Sequence, residues 1–422
     1  MRKNSAAAAP PPAGPRGWAG PIAAAAALLI TLPALGEAAV ETGVALRENL
    51  FHSGTPPIGG LSLPTKGYWV SGTYIRPSLG YLTGPWSLST AVEFRTVWDS
   101  TDAPNTGAGQ AGGNPFGGRA LLERVDMTAH PVREPHAQAD LRVERLKLSR
   151  SFSVFDVDLG RQPVTLGTSH FVGVLDVLAP FPPGDLDSTY KPGIDSARGR
   201  ISVGEEGEAE IIAAAADPWA ESAVIGRLRR RVSSLDLEVV VGKFRRRLFG
   251  GAGWEGDAGP LAVWGELALF ERRLDKEARR GGAHDAAFVG VAGTDWRVAG
   301  NTTVGGAFFY NDFGASRTSD LLAVATDAPY REGWAFLGSR SYFVSTFHAE
   351  PHALAHFDLA GMVNLVDAST LWQPRLTLNV HDNADISAYG WFATGKRPAG
   401  AVPRSEFGSA ADGAGVYGRV FF

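Results

Sequence analysis

Beyond its first 38 residues, the chain alternates apolar and polar side chains in runs of about ten, the length of a strand that crosses a bilayer. In "SLDLEVVVG", Leu235, Leu237, Val239 and Val241 share one parity while Asp236 and Glu238 take the other. "LTLNV" sets Leu376, Leu378 and Val380 against Arg375, Thr377 and Asn379, and "WSLSTAVEFRTVW" sets Leu88, Val92, Phe94 and Trp98 opposite Ser89, Glu93 and Arg95. Period two is the signature of strands with one apolar and one polar face. Gly, Asp, Pro and Ser separate the runs, and no amphipathic helix is predicted; the nearest candidate, 119–127, reads as a short loop segment.

Counted back from the C-terminus, the pattern predicts strands at 413–422, 384–394, 371–380, 353–363, 337–348, 301–311, 285–294, 260–270 and 245–254. It continues with 234–243, 222–231, 208–216, 195–203, 153–162, 138–150, 86–98, 67–76 and a weak first strand at 42–51, about 18 in all, within a range of 16 to 18. The connectors fall into two classes in strict turn. One class is short, such as "HDN" at 381–383, "AEPH" at 349–352 and "GEEG" at 204–207. The other holds every long connector: 395–412, 312–336, 271–284, 163–194 and 99–137. A soluble sandwich has no reason to keep that parity, whereas a membrane barrel has long loops at one end and tight turns at the other.

The expected fold is therefore all-β: a single transmembrane antiparallel β-barrel with long extracellular loops and short periplasmic turns. In hydrocarbon an unpaired backbone N–H or C=O costs several kcal/mol, so a spanning sheet must close on itself. The apolar parity then faces lipid and the polar parity the lumen. Tyr68, Trp98, Trp264, Tyr310, Trp372 and Trp391 are candidates for interfacial girdles, or are ordinary sheet aromatics. The last strand, "GAGVYGRVFF", ends on Phe422 with Val416, Val420 and Phe422 outward and Tyr417, Arg419 and Phe421 inward. A terminal aromatic on an amphipathic last strand resembles the signal that outer-membrane proteins present to their barrel-assembly machinery. Closure also demands it, because the last strand must pair with the first and cannot fray.

Composition adds compartment. Arg2, Lys3 and Arg16 precede the apolar run "IAAAAALLITLPAL" at 22–35 and the small residues "GEAA", which reads as a cleaved secretory leader over 1–38, with the barrel at 39–422. The run is shorter than a membrane-spanning helix needs and Pro33 interrupts it. Cysteine is absent and the net charge is −4, with no basic tail, so nucleic acid is not an expected partner. The expected location is the outer membrane of a Gram-negative-type bacterium, with its lipid as the surrounding partner.

About 18 strands enclose a passage too wide for wall side chains to fill. Alternation points Arg142, Arg198, Arg200, Arg227, Arg229, Arg231, Arg375 and Arg419 inward as pore-lining residues, with Asp236 and Glu238 opposite the densest arginine run. Two readings stand: a charged ladder that selects anionic or polar solutes, and a lumen whose arginines are compensated by carboxylates. For 227–231 the ladder is favoured, because the following strand offers only Asp236 and Glu238.

The stretch from Gly160 to Ile201 runs from "GRQ" through an apolar, proline-rich loop to "GIDSARGRI". Here the chain resembles a group of bacterial outer-membrane porins that includes the alginate-export family, over about 40 residues. The resemblance implies that Arg161, Gln162, Asp195 and Arg198 sit near the pore. Simple alternation instead turns Arg161 outward, which a bulge or a snorkelling side chain would reconcile. The loop's apolar residues must pack on something, and the expectation is a constriction inside the lumen carrying Phe171, Asp176, Phe181, Asp185, Asp187, Tyr190 and Asp195. A cap on the rim or a contact with another subunit is the alternative.

No enzyme chemistry is expected. Asp176, Asp185, Asp187 and Asp195 match no calcium loop, and His348, His352 and His356 would converge only on a helix, whereas "AEPH" reads as a turn; no metal or cofactor is expected. No nucleophile elbow or phosphate-binding loop occurs. The function these features support is passive diffusion of small hydrophilic solutes, anionic or sugar-acid solutes among them. A surface receptor or adhesin with a plugged lumen, and a barrel hydrolase acting at the rim, are the competing classes.

Overall fold

The computed structural model describes residues 39–55, 66–101, 122–183, 189–272 and 286–422. The expected leader at 1–38 lies outside the described residues, as do Asp185 and Asp187. The first strands are β1 (Ala39–Ser53), β2 (Tyr68–Thr83), β3 (Trp86–Asp99), β4 (Thr128–Glu134), β5 (Ala137–Ser151), β6 (Phe155–Gln162), β7 (Ile194–Ser202), β8 (Gly207–Ala214), β9 (Ala223–Val232) and β10 (Leu235–Phe244). They continue as β11 (Arg247–Ala258), β12 (Leu261–Glu271), β13 (Ala286–Ala299), β14 (Thr302–Asn311), β15 (Ser341–His352), β16 (Ala355–Asn364), β17 (Thr370–His381), β18 (Ala384–Thr394) and β19 (Gly413–Phe421).

Eighteen of these make a closed antiparallel ring in which chain neighbours pair and β19 returns to β1. At the seam, Ala45 lies opposite Phe421, and the backbones of Val44 and Phe422 exchange hydrogen bonds of 3.0 and 2.9 Å. The final residue is thus held by the first strand, and the ring has no open edge. The odd strand is β4. Because β3 pairs directly with β5 from Trp98–Ala137 to Trp86–Arg150, β4 stands outside the ring order. It bonds instead to β5 between Arg142 and Ala137, on the edge that β6 occupies only from Leu146 onward.

Every second connector is a tight turn, such as 353–354 between β15 and β16 and 382–383 between β17 and β18. The long loops gather at the opposite end. Among them, the β10–β11 connection is only Arg245–Arg246, both at positive φ (47° and 67°), which suits a two-residue hairpin turn. Outward positions carry a broad apolar surface, including Val239, Val241, Leu248, Leu269, Phe308 and Phe343.

Two sequence expectations need correction. Tyr68 and Trp264 are buried inside the ring, and Trp391 packs edge-on to Phe51, so these three are not girdle residues. Trp98 and Trp372 do face outward, joined by Trp69, Trp86 and Trp296. The inward parity is also not uniformly polar. Toward the long-loop end, Val240, Phe244, Phe249, Phe270, Val289 and Phe309 face in and join one apolar cluster.

Candidate functional site

After Gln162 the chain leaves the wall. Gly160, at φ +111°, lies so close to β5 that a Cβ there would sit 2.2 Å from the Leu146 carbonyl oxygen. Next to it, the Arg161 side chain is wholly buried and donates to Asp195 (2.8 and 3.0 Å), to the Val143 carbonyl (3.2 Å) and to the Val125 carbonyl (2.6 Å). Asp195 also accepts from the backbone N–H groups of Arg124 and Val125 (2.8 and 2.9 Å). Segment 122–127 is thereby clamped against β5 and β7, with Val143 N–H donating to Met127 and Asp195 N–H to Leu122. This corrects the sequence reading: Arg161 and Asp195 form a clamp in the wall, and Asp195 belongs to β7 and not to a constriction. Gln162 is buried beside them, its amide on the Ser196 carbonyl.

The loop that follows crosses the lumen. Val164, Leu166, Val172, Val174, Leu175, Val177, Leu178 and Ala179 pack into the apolar cluster on the inner face of β8 to β15, with Phe171 against its edge. Burying this much hydrocarbon is the main force holding the loop inside. One carboxylate fixes its course. Glu266 on β12 accepts backbone N–H groups from Thr168 (2.5 Å), Ser169 (2.6 Å), Val174 (2.6 Å) and Leu175 (2.9 Å). Gly167 is required there, since a Cβ would fall 2.2 Å from Glu266 Oε1. Glu238 accepts the Gly167 N–H at 3.0 Å, and Arg227 donates to the Thr165 carbonyl at 2.9 Å. His170 bridges Glu255 and Asp295 at 3.1 and 3.0 Å while lying over Trp264.

The return leg meets the other wall. Thr189 accepts from Arg419 on β19 at 2.8 Å, and the Tyr190 ring lies beneath Arg76 (4.2 Å) and Arg47 (5.2 Å) from β2 and β1. Lys191 pairs with Asp176, joining the two legs. Burial pushes the Asp176 carboxyl above its ordinary value, with the Lys191 ammonium acting against that shift. The loop therefore touches β9 to β13 on one side and β1, β2 and β19 on the other.

The eight arginines expected to line the pore all stand beside carboxylates. Arg142 pairs with Glu123, Arg198 with Glu210 (2.5 Å), Arg200 with Asp158 (2.9 Å), Arg229 with Glu238 (3.0 Å), Arg375 with Asp358 (3.0 Å) and Arg419 with Asp385 (2.9 Å). Arg231 and Asp236, both largely exposed, stand 3.9 Å apart. Arg227 meets Glu210 at 2.6 Å and Glu208 at 3.4 Å. The sequence reading of 227–231 counted only the following strand; the preceding one, β8, sets Glu210 opposite Arg227 and Glu208 opposite Arg229. It also passed over Arg47, which lies 3.6 Å from the Tyr74 ring centroid, and Arg76, bound to Glu144 at 2.5 Å. A parity count from "GVALRENLF" would have found Arg47, whereas Arg76 shares its parity with Val70 and Tyr74 and is hidden by them.

Beside the loop, cavities lie among the described residues. A cavity of about 720 Å³ lies between Phe171, Asp176 and Phe181 of the loop and His348, Asp358, Gln373 and Arg375 of β15 to β17. A second, of about 400 Å³, is lined by Thr189, His356, Thr377, Ser387, Tyr417 and Arg419. His348, Asp358 and Arg375 line both.

No protein-family model and no curated protein matches this sequence. Solved structures do share the fold. OccAB1 of Acinetobacter baumannii superposes with a TM-score of 0.54 at 8% identity, covering 91% of this chain and 96% of that one. OccK11 (OpdR) of Pseudomonas aeruginosa gives 0.52 at 10% identity over 91% and 96%. OpdK of the same organism, solved with vanillate, gives 0.50 at 10% identity over 91% and 98%. These neighbours are outer-membrane porins of the Occ/OprD family, built on 18-stranded barrels. At such identities the likeness establishes the fold.

Proposed function

We propose that this chain is a passive diffusion channel of a Gram-negative outer membrane, admitting small hydrophilic solutes past the lumen loop. The observation that carries this reading is the 720 Å³ cavity left beside the loop, walled by Asp358, Gln373 and Arg375. Solutes would be sorted by the width beside the loop and by the field of the wall charges. Arg375 and Arg419, both at the cavity surface, offer planar donors to a carboxylate. Small carboxylates are accordingly the favoured cargo, the vanillate held by the fold neighbour OpdK being of that class. The likeness of 160–201 to alginate-export-type porins extends the reading to sugar acids. No covalent step is involved, and the protein acts as a channel and not as an enzyme. The leader at 1–38 would direct export, Phe422 would serve the assembly machinery, and lipid would surround the exposed apolar surface.

The deciding experiment is planar-bilayer recording of the refolded barrel. A steady open current is expected, with a reversal potential in a salt gradient that shifts toward cations in Arg375→Ser and Arg419→Ser. A closed lumen with no steady current would move the protein to the class of plugged surface receptors.

A further inference from the structure

We propose that the hairpin formed by β15 and β16 carries a binding site for a divalent transition-metal ion of the zinc type, made by His348, Glu350 and His356. The side chains of His348 and Glu350 lie two apart on β15 and so share its inward face, and His356 enters from β16. A register irregularity between Ala349 and His352 leaves Glu350 and Pro351 of β15 against His356 alone on β16, one extra residue on the β15 arm, which lets Glu350 lean across toward His356. Glu350 Oε1 then stands 3.6 Å from His348 Nε2 and 3.5 Å from His356 Nδ1, and the donor atoms of all three residues lie within 4.8 Å of one another. Bonds of about 2.0–2.2 Å at tetrahedral angles place ligand atoms about 3.4 Å apart. Two edges of such a polyhedron are already at that length.

The outer partners strengthen the case, because His348 and Glu350 are each oriented through an atom they would not use for the metal. His348 Nδ1 is 2.7 Å from Asp358 Oδ1, so the proton sits there and Nε2 is free to bind. Asn301 Nδ2 holds the other Glu350 oxygen at 2.5 Å. His356 Nε2 lies 2.9 Å from Asn379 Nδ2, so metal binding at Nδ1 would require that amide to turn and accept the Nε2 proton with its oxygen. The two imidazoles stack nearly parallel, with interplanar angle 19°. His348 and His356 line the 400 Å³ cavity, so a fourth coordination position would open onto the solute path. Two imidazoles and one carboxylate with an open position suit zinc better than calcium or magnesium, which take oxygen ligands.

The test needs no open channel, so its outcome is separate from that of the diffusion reading. A barrel carrying no polyhistidine tag is refolded in detergent, dialysed against Zn²⁺ and assayed for bound metal. One Zn²⁺ per chain is expected, with at least a tenfold loss of affinity in Glu350→Gln and His356→Gln and a smaller loss in Asp358→Asn. Absence of stoichiometric zinc, or binding that none of these substitutions weakens, would overturn the site. Co²⁺ on the unmodified protein gives a second measurement that no folding defect can obscure: visible bands of tetrahedral intensity are expected, and a purely octahedral spectrum would refute it.

Discussion

On the wall from β10 to β14, the inward positions near the long loops are Val240, Phe249, Phe270, Val289 and Phe309, and the lumen loop lies directly on them. On the wall from β16 to β19, the inward positions include Asp358, Arg375, Asp385 and Arg419, and cavities face Asp358, Arg375 and Arg419. Both walls are built from the same extended backbone, closed by the same ladder. What differs is whether a loop takes the place of water. Where it does, an inward side chain behaves as a core residue; where it does not, it behaves as one side of a wet ion pair. A barrel lumen is thus not one environment, and substitutions on the two walls should fail in different ways.

The sharpest way to break the contrast is to release the loop. Glu266→Ala removes the acceptor for four backbone N–H groups, and each buried group left without a partner costs about 1–3 kcal/mol. The loop should leave the wall, raising single-channel conductance severalfold and erasing discrimination by solute size. Unchanged conductance would mean that the loop does not set the width. Leu175→Ala keeps the carboxylate but empties part of the dry wall. Leu175 is fully buried, so a loss of about 2–5 kcal/mol is expected, read as a fall in the urea midpoint of the refolded barrel. Its effect on ion selectivity should be nil.

Arg419→Ser is the complement on the wet wall. The Arg419–Asp385 pair keeps contact with water, with side chains 24% and 11% exposed, so stability should fall by only about 1 kcal/mol. The reversal potential should shift measurably, since one cation is removed from a cavity that Arg375 and Asp358 also line. If the reverse held, with a large stability loss and no selectivity change, the two walls would not differ as argued.

The ring itself was legible because period two and turn parity are local signals, readable strand by strand. Phe422 at the seam follows from the same logic. What escaped depends on neighbours far along the chain. The pairing of β4 to β5 was hidden by Pro131 within "TAHPVRE" and by the short run of the strand. Glu208 and Glu210 were overlooked as partners of Arg227 because only one of two flanking strands was counted. "AEPH" was taken for a turn, yet β15 runs on through His352 and the turn is 353–354. That displacement of a few residues separated Glu350 from the histidines it faces and put His352, whose Nδ1 accepts from the Leu354 N–H, in its place. The apolar inward parity was visible in Val240 and Phe244, which break the polar series begun by Asp236 and Glu238.

The mildest test concerns how the long loops are held over the dry wall. Glu406, in the 395–412 loop, is buried and accepts from the Gly338 N–H (2.8 Å), from Asn364 Nδ2 (2.8 Å) and from the Tyr342 hydroxyl. It therefore ties two long loops to β15 and β16. Desolvation raises its carboxyl above the ordinary value, against the pull of the hydroxyl and the backbone donor. A carboxyl whose value is higher in the closed state binds its proton more tightly there than when the loop opens. Closure is then most stable toward the ordinary carboxyl range, at about pH 4.3, and weakens as pH rises through the raised value, where opening lets the group ionise in water. Hydrogen exchange of 395–412, corrected for the intrinsic pH dependence of exchange, should show protection falling over that window. Glu406→Gln, which cannot ionise, should flatten the slope; protection that rises with pH in the unmodified chain would show that the donors around Glu406 outweigh its burial.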